Sequence, residues 1–219
     1  MNTWYTVIYT DQSVYILSSP LTVKRKDQIL AAAMSVLIKN GYERSRMDDI
    51  VNLSGLSKGA IYWYYKSKKA IYLDLVSYWA DRYSGLINTK TNKSISSAQQ
   101  LRDLFDTFIN EYEKDPEPFK ALSEFWAVSQ KDDSFNKKFQ EVYSGFLELI
   151  ETIVSQGVKS GEFKNLDVRI TSISIMLNIE AINWFTLFDA HGVTAKQYIN
   201  TTTDFILAGL LKKEWTFQP

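Results

Sequence analysis

Seventeen residues, Ser54 to Ala70 (SGLSKGAIYWYYKSKKA), hold four aromatic rings and four lysines. Ammonium groups beside exposed rings do the chemistry of non-covalent recognition. The lysines neutralise phosphates, and the rings pack on sugar, base or methyl surfaces. No covalent chemistry suggests itself elsewhere. The chain has no cysteine and one histidine, His191. It therefore has no thiol nucleophile, zinc-thiolate site or disulfide, and a Ser-His-Asp arrangement would have a single candidate base. No phosphate-binding glycine loop is present. The acidic pairs and runs (Asp132-Asp133, Glu111 to Glu117) lack the ordered spacing of a calcium loop. No metal, cofactor or catalytic residue is expected, and an enzyme is the least supported class.

Placed on a helix, the stretch sorts its side chains. At about 100° per residue with Ala60 at zero, Ile61 falls near 100° and Tyr65 near 140°. They share a face, which is assigned to the core. Tyr62, Gly59 and Trp63 fall near 200°, 260° and 300°, on the opposite face. Ser57 is placed to cap this helix. Ser67 is placed to cap the next, whose N–H groups would favour an anion. Ahead of it, Met47, Ile50 and Val51 form a short apolar helix that Ser54-Gly55 ends. Ser45 to Asp48 reads as its capping box. Two short helices joined by a tight glycine turn make a helix-turn-helix, whose second helix enters the major groove.

The elements that would hold this pair follow from periodicity. Ile29, Ala33 and Leu37 recur every four residues, with Leu30, Met34 and Ile38 beside them, up to a stop at Asn40-Gly41. A fourth helix runs from Ser67 to about Asn88, and 89–97 reads as a loop. Helices follow at about 97–113, 117–130, 134–159, 167–189 and 194–212. The fold class is all-α, a three-helix head and a larger helical body. The domain boundaries expected are an extension over 1–22, a head over 23–69 and a body over 70–219. Residues 1–20 hold two β-prone runs about a TDQS turn; a hairpin, an arm and an extension all fit them. The zero net charge conceals an asymmetry: residues 24–90 carry 12 Lys/Arg against 6 Asp/Glu, and residues 91–219 carry 13 against 18. A basic head on an acidic body suits a nucleic-acid module. No secretory signal and no membrane span is expected, which suits the cytoplasm.

With those residues in place, Lys24 to about Val76 resembles the DNA-binding domain of the tetracycline-repressor (TetR) family of bacterial regulators. The match runs through Ile29-Leu30-x-x-Ala33, Gly41-Tyr42 and Met47-x-Asp49-Ile50-Val51. It continues through Ser54-Gly55-Leu56-Ser57-Lys58-Gly59-x-Ile61-Tyr62-x-Tyr64-Tyr65-x-Ser67-Lys68. The body resembles the family in plan. The resemblance implies that Lys58, Gly59 and Ala60 face base edges, that Tyr62 and Tyr64 meet backbone or thymine, and that Lys68 meets phosphate. Trp63 and Arg46 depart from common family residues and would contact DNA in their own way, as would the capping Ser57. Tyr65 replaces the usual phenylalanine and needs a partner for its hydroxyl. The resemblance also implies a homodimer on a roughly palindromic double-stranded operator, repression, a small-molecule effector in the body, and a relay through the fourth helix.

Two body helices carry their own signals. The 167–189 segment is apolar on nearly every side, as a helix buried by its neighbours and a partner would be. With 194–212, which carries Tyr198, Thr202, Phe205, Ala208, Gly209 and Leu210, it is the expected dimer interface. Asn178, Glu180 and Asn183 are polar positions within it, facing either a ligand or the partner subunit. Trp79, Tyr83, Phe105, Phe108, Tyr112, Phe125, Trp126, Phe146 and Trp184, with Glu180 and Asn183, are the candidates for an apolar effector pocket; plain core packing is the alternative for each ring. A DNA binder without an effector, its body filled by side chains, is the competing reading.

Overall fold

A computed structural model describes residues 7–10, 13–16, 20–88 and 95–212, with side-chain surroundings described from Lys24 onward except at Trp79 and residues 81–94. The chain divides into two compact units, Met1–Leu75 and Val76–Pro219.

The first unit opens with a short antiparallel hairpin, β1 (Val7–Thr10) and β2 (Ser13–Ile16), in register Val7 to Ile16. The expected turn residues between the strands lie outside the described residues. Helix α1 (Pro20–Arg44) buries Ile29, Leu30, Ala33 and Leu37, the face its four-residue spacing predicts. Its regular winding breaks at Gly41, whose φ of 71° suits glycine. Helix α2 (Met47–Ser54) ends at Gly55, also left-handed at φ 68°. Helix α3 (Lys58–Tyr64) starts at Ser57, whose Oγ accepts from the Ala60 N–H at 3.2 Å. Helix α4 (Lys68–Asn88) follows, with Ser67 Oγ accepting from the Ala70 N–H at 3.2 Å. The division between the units falls inside α4.

The α2 cap differs from the expected box. Ser45 lies one residue before the cap position, buried, with its hydroxyl donating back to the Tyr42 carbonyl at 2.7 Å. Arg46 takes the N-cap position instead, and its N–H donates to Asp49 Oδ2 at 2.8 Å. The register is one residue later, and Asp48 is left to face outward.

The second unit contains α5 (Ser97–Lys114), α6 (Glu117–Ser129), α7 (Asp133–Ser160), α8 (Val168–Glu180) and α9 (Ala195–Leu210). Side-chain caps open four of them: Ser96, Asp132, Asp167 and Thr194 each accept from the first turn that follows. The expected single helix over 167–189 is two elements. The α-helix stops at Glu180 and tightens into a 3-10 helix, Ala181–Thr186. The β-branched and aromatic run Ile182, Trp184, Phe185, Thr186 lowers helix propensity there, and final turns often tighten this way. That segment is not buried all round in the protomer. Ile170, Leu177, Trp184, Leu187 and Phe188 are more than half exposed.

The core of this unit joins Phe105, Phe119, Ile150, Val154, Phe163, Ile175 and Ile199 from five helices and the α7–α8 turn. Gly157 in α7 is required by close packing: a Cβ there would stand 2.2 Å from the Phe163 ring. Next to that ring, the buried Glu162 carboxylate accepts from the N–H groups of Ser97 and Ala98, both at 2.8 Å. It satisfies two donors that a helix start leaves over. Phe163 also bridges to Leu211, and Lys164 N–H donates to the Leu210 carbonyl at 2.8 Å. Three segments far apart in sequence thus meet at one corner. Among the described residues no helix is long and apolar enough to cross a membrane.

Candidate nucleic-acid interface and effector cavity

In the first unit, α3 divides as its wheel requires. Ile61 is fully buried and Tyr65 nearly so. Tyr65 directs its hydroxyl to Asp74, which also holds Lys26 at 2.8 Å. Burial and the Asp74 carboxylate push the Tyr65 phenol above its ordinary range. The extra oxygen relative to phenylalanine therefore has a partner. The opposite face is open. Trp63 is 65% exposed and Tyr62 36%, with Lys58 and Gly59 exposed beside them. Trp63 and Tyr64 meet edge to face at 4.6 Å. A Cβ at Gly59 would meet nothing within 4 Å. The fold gains nothing from a glycine there, although glycine in a helix costs about 1 kcal/mol relative to alanine. Close approach by something outside the protomer is what it allows.

The charges of this face are held in different ways. Lys58 Nζ pairs with Asp48 Oδ1 at 2.7 Å, and that carboxylate raises its ammonium pKa. Both side chains are well exposed, so the pair is weak and free to exchange. Arg46 is exposed beside them, and Lys66 donates to the Tyr62 carbonyl at 2.8 Å.

Lys68, the expected phosphate contact, has partners within the head. Its ammonium donates to the carbonyls of Tyr42 at 2.8 Å, Ser45 at 3.0 Å and Glu43 at 3.4 Å, and lies 4.4 Å from the Tyr42 ring centroid. An ammonium has three donors, and here three carbonyls take them. The break at Gly41 leaves those carbonyls without helical donors, and the lysine that opens α4 reaches them. Sequence spacing alone could not reveal that a basic residue near a helix start would turn inward.

In the second unit, a cavity of about 470 Å³ opens among α4, α5, α6, α7, α8 and the 3-10 helix. Its walls are apolar, with Phe108, Phe119, Phe125, Phe139, Phe146 and Leu149 among them. Phe108 and Phe146 meet across 5.3 Å. Of the sequence candidates, Phe108, Phe125, Phe146, Glu180 and Asn183 line this space, while Phe105 is core and Trp184 is exposed. Tyr112 and Trp126 do not line it. Tyr112 packs edge to face on Phe119 at 5.3 Å, and Trp126 is 60% exposed. The side chains of Trp79 and Tyr83 lie outside the described residues. Asn178 is engaged elsewhere, donating to the Ser174 carbonyl at 2.8 Å and accepting from Tyr198 at 3.4 Å. Tyr143, on the cavity wall, escaped the sequence reading because a tyrosine in an amphipathic helix has no distinguishing signature. Its hydroxyl faces Glu180. Burial pushes the Glu180 carboxyl up to about 7, against a smaller lowering by that hydroxyl, and burial with Glu180 raises the Tyr143 phenol. Among the described residues no group of His, Cys, Asp and Glu could hold a metal ion.

Two family models cover most of the chain. That of the bacterial regulatory proteins, tetR family, matches residues 29–75, and that of the YsiA-like protein, C-terminal region, matches residues 81–186. The chain belongs to the TetR family. Like other TetR proteins it is a transcription regulator, not an enzyme, and α2–α3 is its DNA-binding helix-turn-helix. A fatty acid metabolism regulator protein of Bacillus subtilis is 24% identical over 193 residues, covering 85% of this chain and 95% of that protein. The HTH-type transcriptional regulator QacR of Staphylococcus aureus is 29% identical over 166 residues, covering 74% and 85%. The crystal structure of the regulator FadR from Bacillus subtilis in complex with stearoyl-CoA is similar in fold, with a TM-score of 0.69, 23% identity and coverage of 84% and 98%.

Within the TetR plan, the exposed apolar residues of the last helices take on meaning. Phe205 is 74% exposed on α9, with Ala208 and Gly209 exposed on the next turn. Leu177, Trp184, Leu187 and Phe188 are exposed on the segment from α8 onward. Leu210, in contrast, is buried in its own core.

Proposed function

We propose that this TetR regulator is a cytoplasmic homodimeric repressor that leaves a roughly palindromic operator when a small, mostly apolar molecule enters the body cavity. The observation that carries the DNA half is the open face of α3. Lys58, Gly59, Tyr62 and Trp63 project from a helix whose other face, Ile61 and Tyr65, is anchored in the head. In the major groove, Lys58, Gly59 and Ala60 would come to base edges, and Tyr62, Trp63 and Tyr64 to sugar-phosphate or thymine methyls. Ser57 and Arg46, at the two helix starts, would meet backbone phosphates. The Lys58–Asp48 pair would open so that the ammonium can turn to DNA.

Dimerisation would cover the exposed apolar side chains of α8, the 3-10 helix and α9 with those of a second copy. Such a face left in water is unfavourable and marks an interface. Two-fold symmetry in the protein then accounts for two-fold symmetry in the operator. The 470 Å³ cavity favours an effector over a body filled by its own side chains, since small-molecule sites span roughly 300–1,000 Å³. Helix α4 carries Lys68, fixed to the carbonyls after Gly41, and Val76, Ser77 and Ala80, on the cavity wall. It is the natural relay. The effector need only favour one state by about 1–3 kcal/mol.

Footprinting on DNA upstream of the protein's own gene, at two salt concentrations, tests this. A protected palindrome, weakened by salt and lost with Tyr62→Ala, is expected. Protection without sequence preference would refute the operator reading.

A further inference from the structure

The cavity carries more information than its volume. Its charged lining consists of Lys138, Glu141 and Glu180. The first two pair with each other at 3.3 Å and are partly exposed, leaving Glu180 uncompensated. Glu180 Oε1 and Asn183 Oδ1 are both buried, and neither has a hydrogen-bond partner among the described residues. The two residues stand three apart where α8 passes into the 3-10 helix, so they are neighbours on one side of the cavity. The Tyr143 hydroxyl, from α7, is the polar group facing Glu180. An ionised carboxylate only accepts hydrogen bonds. Buried acceptors without donors are costly. A leucine or glutamine would serve packing as well as a glutamate.

We propose that the cavity binds a molecule with an apolar body and a positively charged, hydrogen-bond-donating head, an amine or amidine, seated against Glu180 and Asn183. The phenylalanine walls take the body. The head supplies the donors that both oxygens lack, and its charge balances the carboxylate. Burial that pushes Glu180 to about 7 makes that carboxylate responsive to a cation, whose arrival favours the ionised form. A carboxylate ligand of the same length meets like charge and acceptors facing acceptors. This assignment rests on the reading of the cavity as the effector site.

The test uses the full-length protein and three ten-carbon probes, decylamine, decanol and decanoate, each below its micelle concentration, with titration calorimetry at pH 8. Decylamine is expected to bind at least tenfold tighter than decanol, and decanoate weakest. Glu180→Gln keeps the side chain's shape and should fold. It should remove the tenfold advantage of decylamine and leave decanol unchanged. Decanoate or decanol binding as tightly as decylamine, or decylamine indifferent to Glu180→Gln, would overturn the head-group assignment while leaving the cavity an apolar effector site. Failure of all three probes to bind would overturn both.

Discussion

Replacing Glu180 by glutamine should make the protein more stable, by an amount that depends on pH. The carboxyl has an ordinary value of 4.5, and burial pushes it to about 7. The folded state therefore holds its proton over a range where the unfolded chain has released it. Stability is full at and below pH 4.5, falls as pH rises, and levels off above about 7. At about 1.4 kcal/mol for each pH unit between the two values, the loss is about 3 kcal/mol at pH 8 and about 1 kcal/mol at pH 5. Glutamine does not titrate. The stability of Glu180→Gln minus that of the native protein should therefore grow by about 2 kcal/mol from pH 5 to pH 8. Urea unfolding at fixed protein concentration, with both proteins at each pH, measures this difference and cancels the other titrating groups. Curves that stay parallel across the range would refute the burial of an uncompensated carboxylate, and the argument for a cationic ligand would lose its electrostatic half.

Three further outcomes follow from packing. Gly157→Ala should cost about 1–3 kcal/mol, because the new methyl meets a Phe163 ring that is itself fully buried; thermal unfolding checks it, and an unchanged midpoint would contradict the contact. Lys68→Met should destabilise the head by about 2 kcal/mol and weaken operator binding without changing its salt dependence, since the ammonium's three donors are taken up by three carbonyls; a shallower salt slope would show that Lys68 meets a phosphate on the DNA. Phe205→Asp should yield a folded monomer in sedimentation, since Phe205 stands in solvent in the protomer; a persistent dimer would place the interface elsewhere.

The head was legible because its signals are local. Ser57, Ser67, Gly41 and Gly55 act on backbone groups one to three residues away, so their types and spacing suffice to place them. The exposed face of α3 was readable for the same reason, as seven residues with one period. The carbonyl partners of Lys68 could not be read from the sequence, because they lie more than twenty residues back, at a cluster that only the Gly41 break creates. In the body, periodicity found the helices but could not separate a cavity wall from a core. Phe105 and Phe108 are one turn apart on α5, yet the first is core and the second faces the cavity. Glu180 and Asn183 stood out as polar positions in an apolar run. That one oxygen of each lacks a partner could be learned only from their surroundings.

The Glu162 carboxylate changes what the start of α5 can do on its own. The first amides of a helix ordinarily exchange with solvent by fraying, a local event of small free energy. Those of Ser97 and Ala98 are held by a side chain from the turn after α7, beside a strand-like contact with Leu211. They cannot be released without opening the corner where three remote segments close. Their protection in hydrogen exchange should therefore track the unfolding of the whole body, making two terminal amides reporters of its deepest cooperative unit.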